Sequence, residues 1–417
     1  MAMRYPPVAL LVVLLVMVFA ASPAMSKVAG VLKITRLLNY ADQDIPSYIT
    51  QDNTPLHNPI TDEGATLGRV LFYDKRLSAD NSVSCASCHQ QEHAFSDTAE
   101  RSEGIDGQLT NRHSMRLVNV RFGDETKFRW DESADSLEAQ MTLPIKNKAE
   151  MGFSGEDGDL GIDELIEKME GTRYYPKLFK MAFGDDQITE ERMQLALAQF
   201  VRSIQSFDSK YDKGRARVDS ELDDFPNFTS AENNGKRLFF EDYEWVEDEH
   251  TPRQRPNARI ARDDSYIVAR RINGGFNCAE CHVPPEFAIV PDSLNNGFVR
   301  PSPPGRGNPV DVNVTRSPTL RDLVHPDGDL NGGMFHAGAA TNINALFAHY
   351  DFRQPNDDNS NLDPRMTKDG LPQFLDATRQ ERRDLIAFLE TLTGSNVYTD
   401  EKWSDPFDEE GELRLRR

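Results

Sequence analysis

The feature that most constrains this chain is Cys85-Ala86-Ser87-Cys88-His89, which recurs as Cys278-Ala279-Glu280-Cys281-His282. In each copy two thiols are spaced for thioether bonds to the two vinyl groups of one haem, and the next residue is an imidazole for its iron. The bonds hold the macrocycle against the backbone and present the adjacent His as proximal ligand. The two motifs use all four cysteines of the chain. A disulfide framework, or a zinc site drawn from Cys85, Cys88, His89 and His93, accommodates the count. Neither explains a His directly after the second Cys of both pairs. Two covalently bound haem c groups are expected, ligated by His89 and His282.

Residues 1–26 read as a secretory signal: Arg4, an apolar run from Val8 to Ala21, and small residues around Pro23, Ala24 and Ser26. The run falls short of the ~20 residues that span a bilayer, and Ala24-Met25-Ser26 offers a cleavage site. The mature chain then starts near Lys27, keeps no membrane span, and belongs in the periplasm, where c-type attachment takes place. Cleavage removes one positive charge, Arg4, and leaves 46 basic against 68 acidic side chains, net −22. This excludes nucleic acid as a partner. The same surface steers cationic partners such as a small basic redox protein, although solubility alone also accounts for it. About 390 mature residues at ~150–200 per domain make two domains. The expected division is one haem domain over 27–225, a second over 226–400 and a polar tail over 401–417, with one motif in each half.

Helices are expected from Thr61 to Tyr73, Ser136 to Met141, Ile162 to Met169 and Thr189 to Phe207. The last carries Met193, Leu197, Phe200, Ile204 and Phe207 at core-facing spacing, so Met193 reads as packing and not as an iron ligand. Asp223, Asp224 and Pro226 interrupt the pattern before Ser230 starts a new helix. Between Phe240 and Asn273 an acidic run precedes Arg253, Arg255, Arg259, Arg262, Arg270 and Arg271. It reads as a solvated loop, or as a segment that folds on itself or docks a partner. The stretch from Pro284 to Pro318 is too rich in Pro, Gly and Asn for long elements. A final helix runs from Glu381 to Leu392, stopped by Gly394.

The chain resembles the bacterial dihaem cytochrome c peroxidase family, specifically its MauG-like members. The resemblance runs from about Leu67 to Leu392. It rests on Leu71-Phe72-Tyr73-Asp74-Lys75-Arg76-Leu77-Ser78, the stretch from Trp130 to Gln140, Glu150-Met151-Gly152, Ser317-Pro318-Thr319-Leu320-Arg321 and Met334-Phe335-His336-Ala337-Gly338. It implies a mainly α fold of two cytochrome c-like haem domains with long irregular loops. It also implies one haem that reacts with hydrogen peroxide, a second that passes electrons, and a tryptophan between them. Carried over, His89 serves the peroxidatic iron, Glu150 and Gln140 line its distal side beside Pro144, and Trp130 is the inter-haem indole. A positioned carboxylate suits peroxide cleavage, because it can take a proton from the near oxygen and return it to the leaving one.

Three departures from the commoner pattern carry information. Where the His/Met members have the methionine of the second haem, this chain has Tyr350, as MauG-like enzymes do. An oxygen ligand stabilises ferric and higher states, whereas a thioether favours the ferrous state. The alternative is that Tyr350 only packs and His349 or Met366 ligates. The loop Arg101 to Asn111 lacks the His that caps the first iron in those members, so that iron is expected open, with His93 and His113 flanking the loop. The family's calcium ion between the haems is implied near His113, Asn331 and Gly333, where the usual Asn, Thr and Pro are replaced. The favoured function is a peroxide-dependent oxidoreductase that draws electrons from a protein substrate. The alternatives are a simple peroxidase with a small cytochrome or cupredoxin donor, and a non-catalytic electron carrier.

Overall fold

A computed structural model describes residues 30–250, 266–301, 303–305, 307–352 and 359–416. The leader expected over 1–26, and Arg253, Arg255, Arg259 and Arg262 of the charged segment, lie outside the described residues.

Helices dominate the first half. Thr61 is extended and its hydroxyl accepts from the Gly64 amide, while Asp62 and Glu63 place negative charge in the first turn, so α1 (Asp62–Tyr73) begins there. The short α2 (Cys85–Cys88), α3 (Leu137–Gln140) and α4 (Leu143–Lys146) follow, then α5 (Ile162–Glu170), α6 (Tyr175–Phe183) and α7 (Glu190–Ser203). A Cβ on Gly68 would run into the Ala196 carbonyl, so α1 and α7 can approach this closely only at glycine. A buried ion pair, Arg202 to Glu138, ties α7 to α3. The apolar stripe of α7 is buried as expected, Met193 included. The helix nevertheless stops at Ser203 and not at Phe207. Ile204 is extended, its carbonyl accepts from the Asn119 amide at 2.9 Å, and the Asn119 side chain accepts from the Ser206 amide at 2.8 Å. A partner strand of loop thus takes over the hydrogen bonds that another turn would have made.

The second half adds α8 (Lys210–Arg215), α9 (Ser230–Phe240), α10 (Ile343–Asp351), α11 (Arg379–Glu390) and α12 (Asn396–Thr399). Helix α9 starts at Ser230 because Thr229 and Glu232 form a capping box. Thr378 and Glu381 form another, which starts α11 two residues before the expected Glu381. The contact between α9 and α11 repeats the first half's device, with Gly235 against the Asp384 carbonyl.

Strands are few. β1 (Leu32–Lys33) lies beside β8 (Leu415–Arg416), and β4 (His282–Val283) pairs with β5 (Ala288–Ile289). A four-stranded sheet has the order β2 (Tyr243–His250), β3 (Tyr266–Gly274), β7 (Leu371–Phe374) and β6 (Thr367–Lys368). The solvated loop expected between Phe240 and Asn273 is corrected here: its described flanks are an antiparallel pair running from Tyr243 opposite Gly274 to His250 opposite Tyr266. The charges do not prevent pairing because they are matched in space, Arg270 with Asp248 and Asp376 and Arg271 with Glu381, while Tyr243, Val268 and Ala269 face inward.

Buried apolar side chains form two clusters. One spans Leu32 to Ile204 and takes in Val397, Tyr398, Trp403 and Phe407; the other runs from Tyr211 to Leu392. Cys85 borders the first and Cys278 the second. Where composition suggests a polar tail, residues 401–416 instead return to the first cluster. Trp403 is buried and its indole donates to the Ser203 carbonyl at 3.1 Å, Tyr73 donates to the Trp403 carbonyl at 2.6 Å, and Arg69 to the Ser404 carbonyl at 2.6 Å. Among the described residues no helix is long and apolar enough to cross a membrane.

Candidate active site: two cavities and a shared wall

Each motif opens onto a cavity, with empty volumes of about 1930 Å³ at Cys85, Cys88 and His89 and about 1600 Å³ at Cys278, Cys281 and His282. All four thiols are unpaired, and burial pushes Cys85, Cys278 and Cys281 up to about 12 and Cys88 up to about 11. The disulfide reading is thereby excluded. So is the zinc reading: His93 packs tilted against His325 with ring centroids 5.9 Å apart, and among the described residues no group of three or more His, Cys, Asp or Glu converges.

Local geometry presents His89 well. Ser84 accepts and returns hydrogen bonds with Ser87 to start α2, and the turn Gln90 to Ser96, with Ala94 and Phe95 left-handed, brings the Phe95 carbonyl within 3.1 Å of His89 Nδ1. That carbonyl accepts the ring proton and leaves Nε2 for a metal, the usual arrangement for a ligating imidazole. Burial lowers the His89 pKa, which keeps the ring neutral and able to ligate. His282 differs. Burial lowers it to about 4, but its Nδ1 is buried without a partner, because the chain leaves directly into β4 and no carbonyl returns. The buried thiols, neutral imidazoles and unpartnered polar atoms on the walls fit two haem c groups.

The first cavity brings together Trp130, Gln140, Pro144 and Glu150 with His89. Asn147 closes the turn after α4, and its side-chain amide donates to Glu150 Oε1 at 3.0 Å. Burial holds the Glu150 carboxyl above the ordinary range, with Arg129 pulling the other way. Gln140 Oε1 is buried without a partner. Glu125 also lines this cavity with one buried, unpartnered oxygen, and burial raises it to about 7. Neither flanking histidine offers a free ring nitrogen to this cavity among the described residues. His93 lies against His325, and His113 has Nδ1 2.9 Å from the Ala99 carbonyl and Nε2 3.4 Å from the Ser96 hydroxyl.

Tyr350 projects from α10 into the second cavity and accepts from the Asn296 side-chain amide at 3.1 Å. Burial raises its hydroxyl to about 12, and the Asn296 bond opposes the rise. His349 does not line the cavity; its Nε2 sits 3.0 Å from the Asn296 carbonyl and its ring against Phe335. Met334 and Met366 share the wall with Tyr350.

Trp130 lines both cavities. It stands at the tip of a tight loop between Phe128 and Ala134. Its indole donates to the His113 carbonyl at 2.8 Å, and its own carbonyl accepts from the Thr315 amide at 2.9 Å. Both halves thus hold the indole in the wall.

Among the described residues, the side chains expected near calcium are largely engaged elsewhere. His113 offers ring nitrogens that are already engaged, and the Asn331 amide nitrogen turns to the Asp322 carbonyl and Tyr398 hydroxyl at 2.8 and 2.7 Å. Asn331 Oδ1 remains as a single unpartnered buried side-chain oxygen. Sequence reasoning missed Asn147, Asn296 and Glu125. Only Asn147, three residues before Glu150, had a signal in its spacing.

Comparison with known proteins decides the family. A family model described as di-haem cytochrome c peroxidase matches residues 62–219. The chain is 29% identical over 346 residues to the methylamine utilization protein MauG of Methylorubrum extorquens, covering 81% of this chain and 80% of that one. The chain belongs to the dihaem cytochrome c peroxidase family. It groups with the MauG-like members and is an oxidoreductase of the peroxide-dependent kind. Another member, the cytochrome c551 peroxidase of Nitrosomonas europaea, is 26% identical over 340 residues, with 79% and 80% covered. The crystal structure of a MauG-like protein associated with microbial copper homeostasis superposes with a TM-score of 0.62 at 26% identity, covering 88% of this chain and 99% of that one. As a dihaem family member the chain calls for two haem c groups, and the second motif lies beyond the residues that the family model matches.

Proposed function

We propose that this chain is an exported MauG-type oxidoreductase that reacts with hydrogen peroxide at the first cavity and draws electrons, through the second, from a protein substrate. In this reading residues 1–26 are removed on export to the periplasm, and the mature chain works as two haem domains that meet near residue 225. Haem c, when bound at both motifs, supplies redox-active iron. The chain's own residues do the rest. His89 and His282 ligate, and Trp130 provides an oxidisable ring between the cavities. Glu150, aimed by Asn147 and kept from water, takes one proton of peroxide and returns it to the departing oxygen; Gln140 and Pro144 shape the space around it. Two electrons and two protons convert peroxide to two waters, and the electrons come from the partner protein.

The observation that carries the reading is Tyr350. Its oxygen faces the second cavity, where a phenol oxygen as ligand would favour the oxidised states of the metal, and the hydrogen bond it accepts from Asn296 opposes the rise that burial imposes on the hydroxyl. A second reading, a simple peroxidase served by a small cytochrome or cupredoxin, draws support from Met334 and Met366 on the same wall.

The test is to mix fully ferric protein with hydrogen peroxide in a stopped-flow spectrometer, for the wild type and Tyr350→Met. The wild type should react at once, without prior reduction, and show no sulfur-to-iron near-infrared band. Tyr350→Met should gain that band, reduce more easily, and fail to hold two oxidising equivalents. A wild type that shows the band, or stays inert until one electron is added, overturns the reading in favour of the simple peroxidase.

A further inference from the structure

The wall shared by the two cavities carries a buried guanidinium that makes no ion pair among the described residues. Arg116 is 6% exposed and reaches both cavities. One terminal nitrogen donates to the Thr319 carbonyl at 2.7 Å, and Nε is buried with no partner. Among the described residues it makes no ion pair. The carboxyl that acts on it most, Asp322, makes no ion pair with it: its Oδ1 is taken by the Tyr398 hydroxyl at 3.1 Å and the Gly394 amide at 2.9 Å, and its Oδ2 is buried without a hydrogen-bond partner. Arg316, on the same wall, also has an unpartnered Nε but pairs with Glu132 and donates to the Val290 carbonyl at 2.8 Å, an ion pair that Arg116 lacks.

A guanidinium taken out of water without a counter-anion is costly, and one neutral carbonyl does not offset the loss of hydration. An anion among the groups that fill the cavities would give the orphaned Nε the hydrogen-bonded partner that Asp322 does not supply. It must be a planar two-oxygen acceptor, because Nε and the terminal nitrogens present a fixed fork of donors. A haem carries two propionate carboxylates that meet this description.

We propose that Arg116 binds a propionate of a haem c seated at the shared wall and, by its charge, raises that haem's reduction potential. The proposal rests on the two-haem reading above. A cation beside the macrocycle opposes the extra positive charge of the ferric state. Losing it also leaves the propionate unpaired, and both effects favour ferric iron.

The experiment is a spectroelectrochemical titration of wild type, Arg116→Gln and Arg116→Lys, each first assayed for covalent haem, with resonance Raman of the propionate bending mode. Arg116→Gln should keep two haems per chain while one midpoint potential falls. Arg116→Lys keeps the charge and should stay near the wild-type potential, with a shifted propionate band because the fork is lost. Repeating the Arg116→Gln titration in a Cys278→Ala, Cys281→Ala background, which leaves only the first motif, tells which haem is held. A fall there assigns the first haem, and its absence the second. Two haems bound with both potentials unchanged in Arg116→Gln would overturn the proposal, as would Lys falling as far as Gln. Should Arg116→Gln not accumulate, an unchanged propionate band in Arg116→Lys is equally decisive against it. A wild type that lacks two covalent haems would instead sink the underlying two-haem reading.

Discussion

On the proposed function, Glu150 is where one atom's environment decides the chemistry. A carboxylate in water is a weak base near neutral pH, and one that burial holds above the ordinary range is a better proton acceptor that titrates closer to the working pH. Asn147 donates to Oε1 and fixes which way it faces. Glu150→Gln keeps that acceptor and the size of the side chain and removes only the exchangeable proton. The rate of peroxide cleavage should then drop by ~10²–10⁴, the usual worth of one general acid–base group. The pH profile gives the sign independently. A base acts when ionised, so the wild-type rate should rise with pH through a value above the ordinary glutamate range, because burial has raised it. That acid limb should vanish in Glu150→Gln. A limb that survives the substitution would assign the titration to another group, of which Glu125, raised to about 7 on the same wall, is the first to examine.

At the scale of elements, what was legible in the sequence was whatever its own neighbours determine. Thr61 and Ser230 mark helix starts through capping chemistry that lies within four residues, and the α7 stripe is a local periodicity. The places where the reading failed depend on partners far along the chain. The end of α7 is set by Asn119, 85 residues earlier than Ile204. The β2–β3 pair looks like a charged loop until Arg270 and Arg271 meet Asp376 and Glu381, which lie about a hundred residues away. The final segment is the sharpest case, because its acidic composition conceals Trp403. That indole closes the first cluster against Ser203 at the end of α7, with Tyr73 of α1 holding its carbonyl. Trp403→Ala should therefore cost ~3–5 kcal/mol, as large-to-small changes at fully buried aromatic sites do. Denaturant unfolding should show the loss in the transition of the first half, although the substitution lies near the C-terminus. A change within about 0.5 kcal/mol, the range of surface substitutions, would mean that the segment only rests on the surface.

The whole molecule is two cores with a wall between them, and its design is visible in which residues serve both sides. The motifs, Glu150, Trp130 and Tyr350 could be picked out from the sequence because they sit in recognisable strings. Arg116 and Asn296 could not, since an isolated Arg or Asn has no pattern and acquires a role only where the fold sets it beside a cavity. Because each cavity has its own cysteines and its own cluster, removing one haem should leave the other site standing. Cys278→Ala with Cys281→Ala should halve the pyridine haemochrome, from two c-type haems per chain to one, and denaturing gels should keep half the covalent colour. The remaining site still has His89, Glu150 and Gln140 around its cavity, so ferric protein should still consume peroxide at the first cavity. What it should lose is the ability to oxidise a protein partner, since the path from Trp130 then ends in a cavity with nothing attached. Full retention of both haems in that variant would show that the second motif does not attach one, and the division of labour between the two cavities would fall with it.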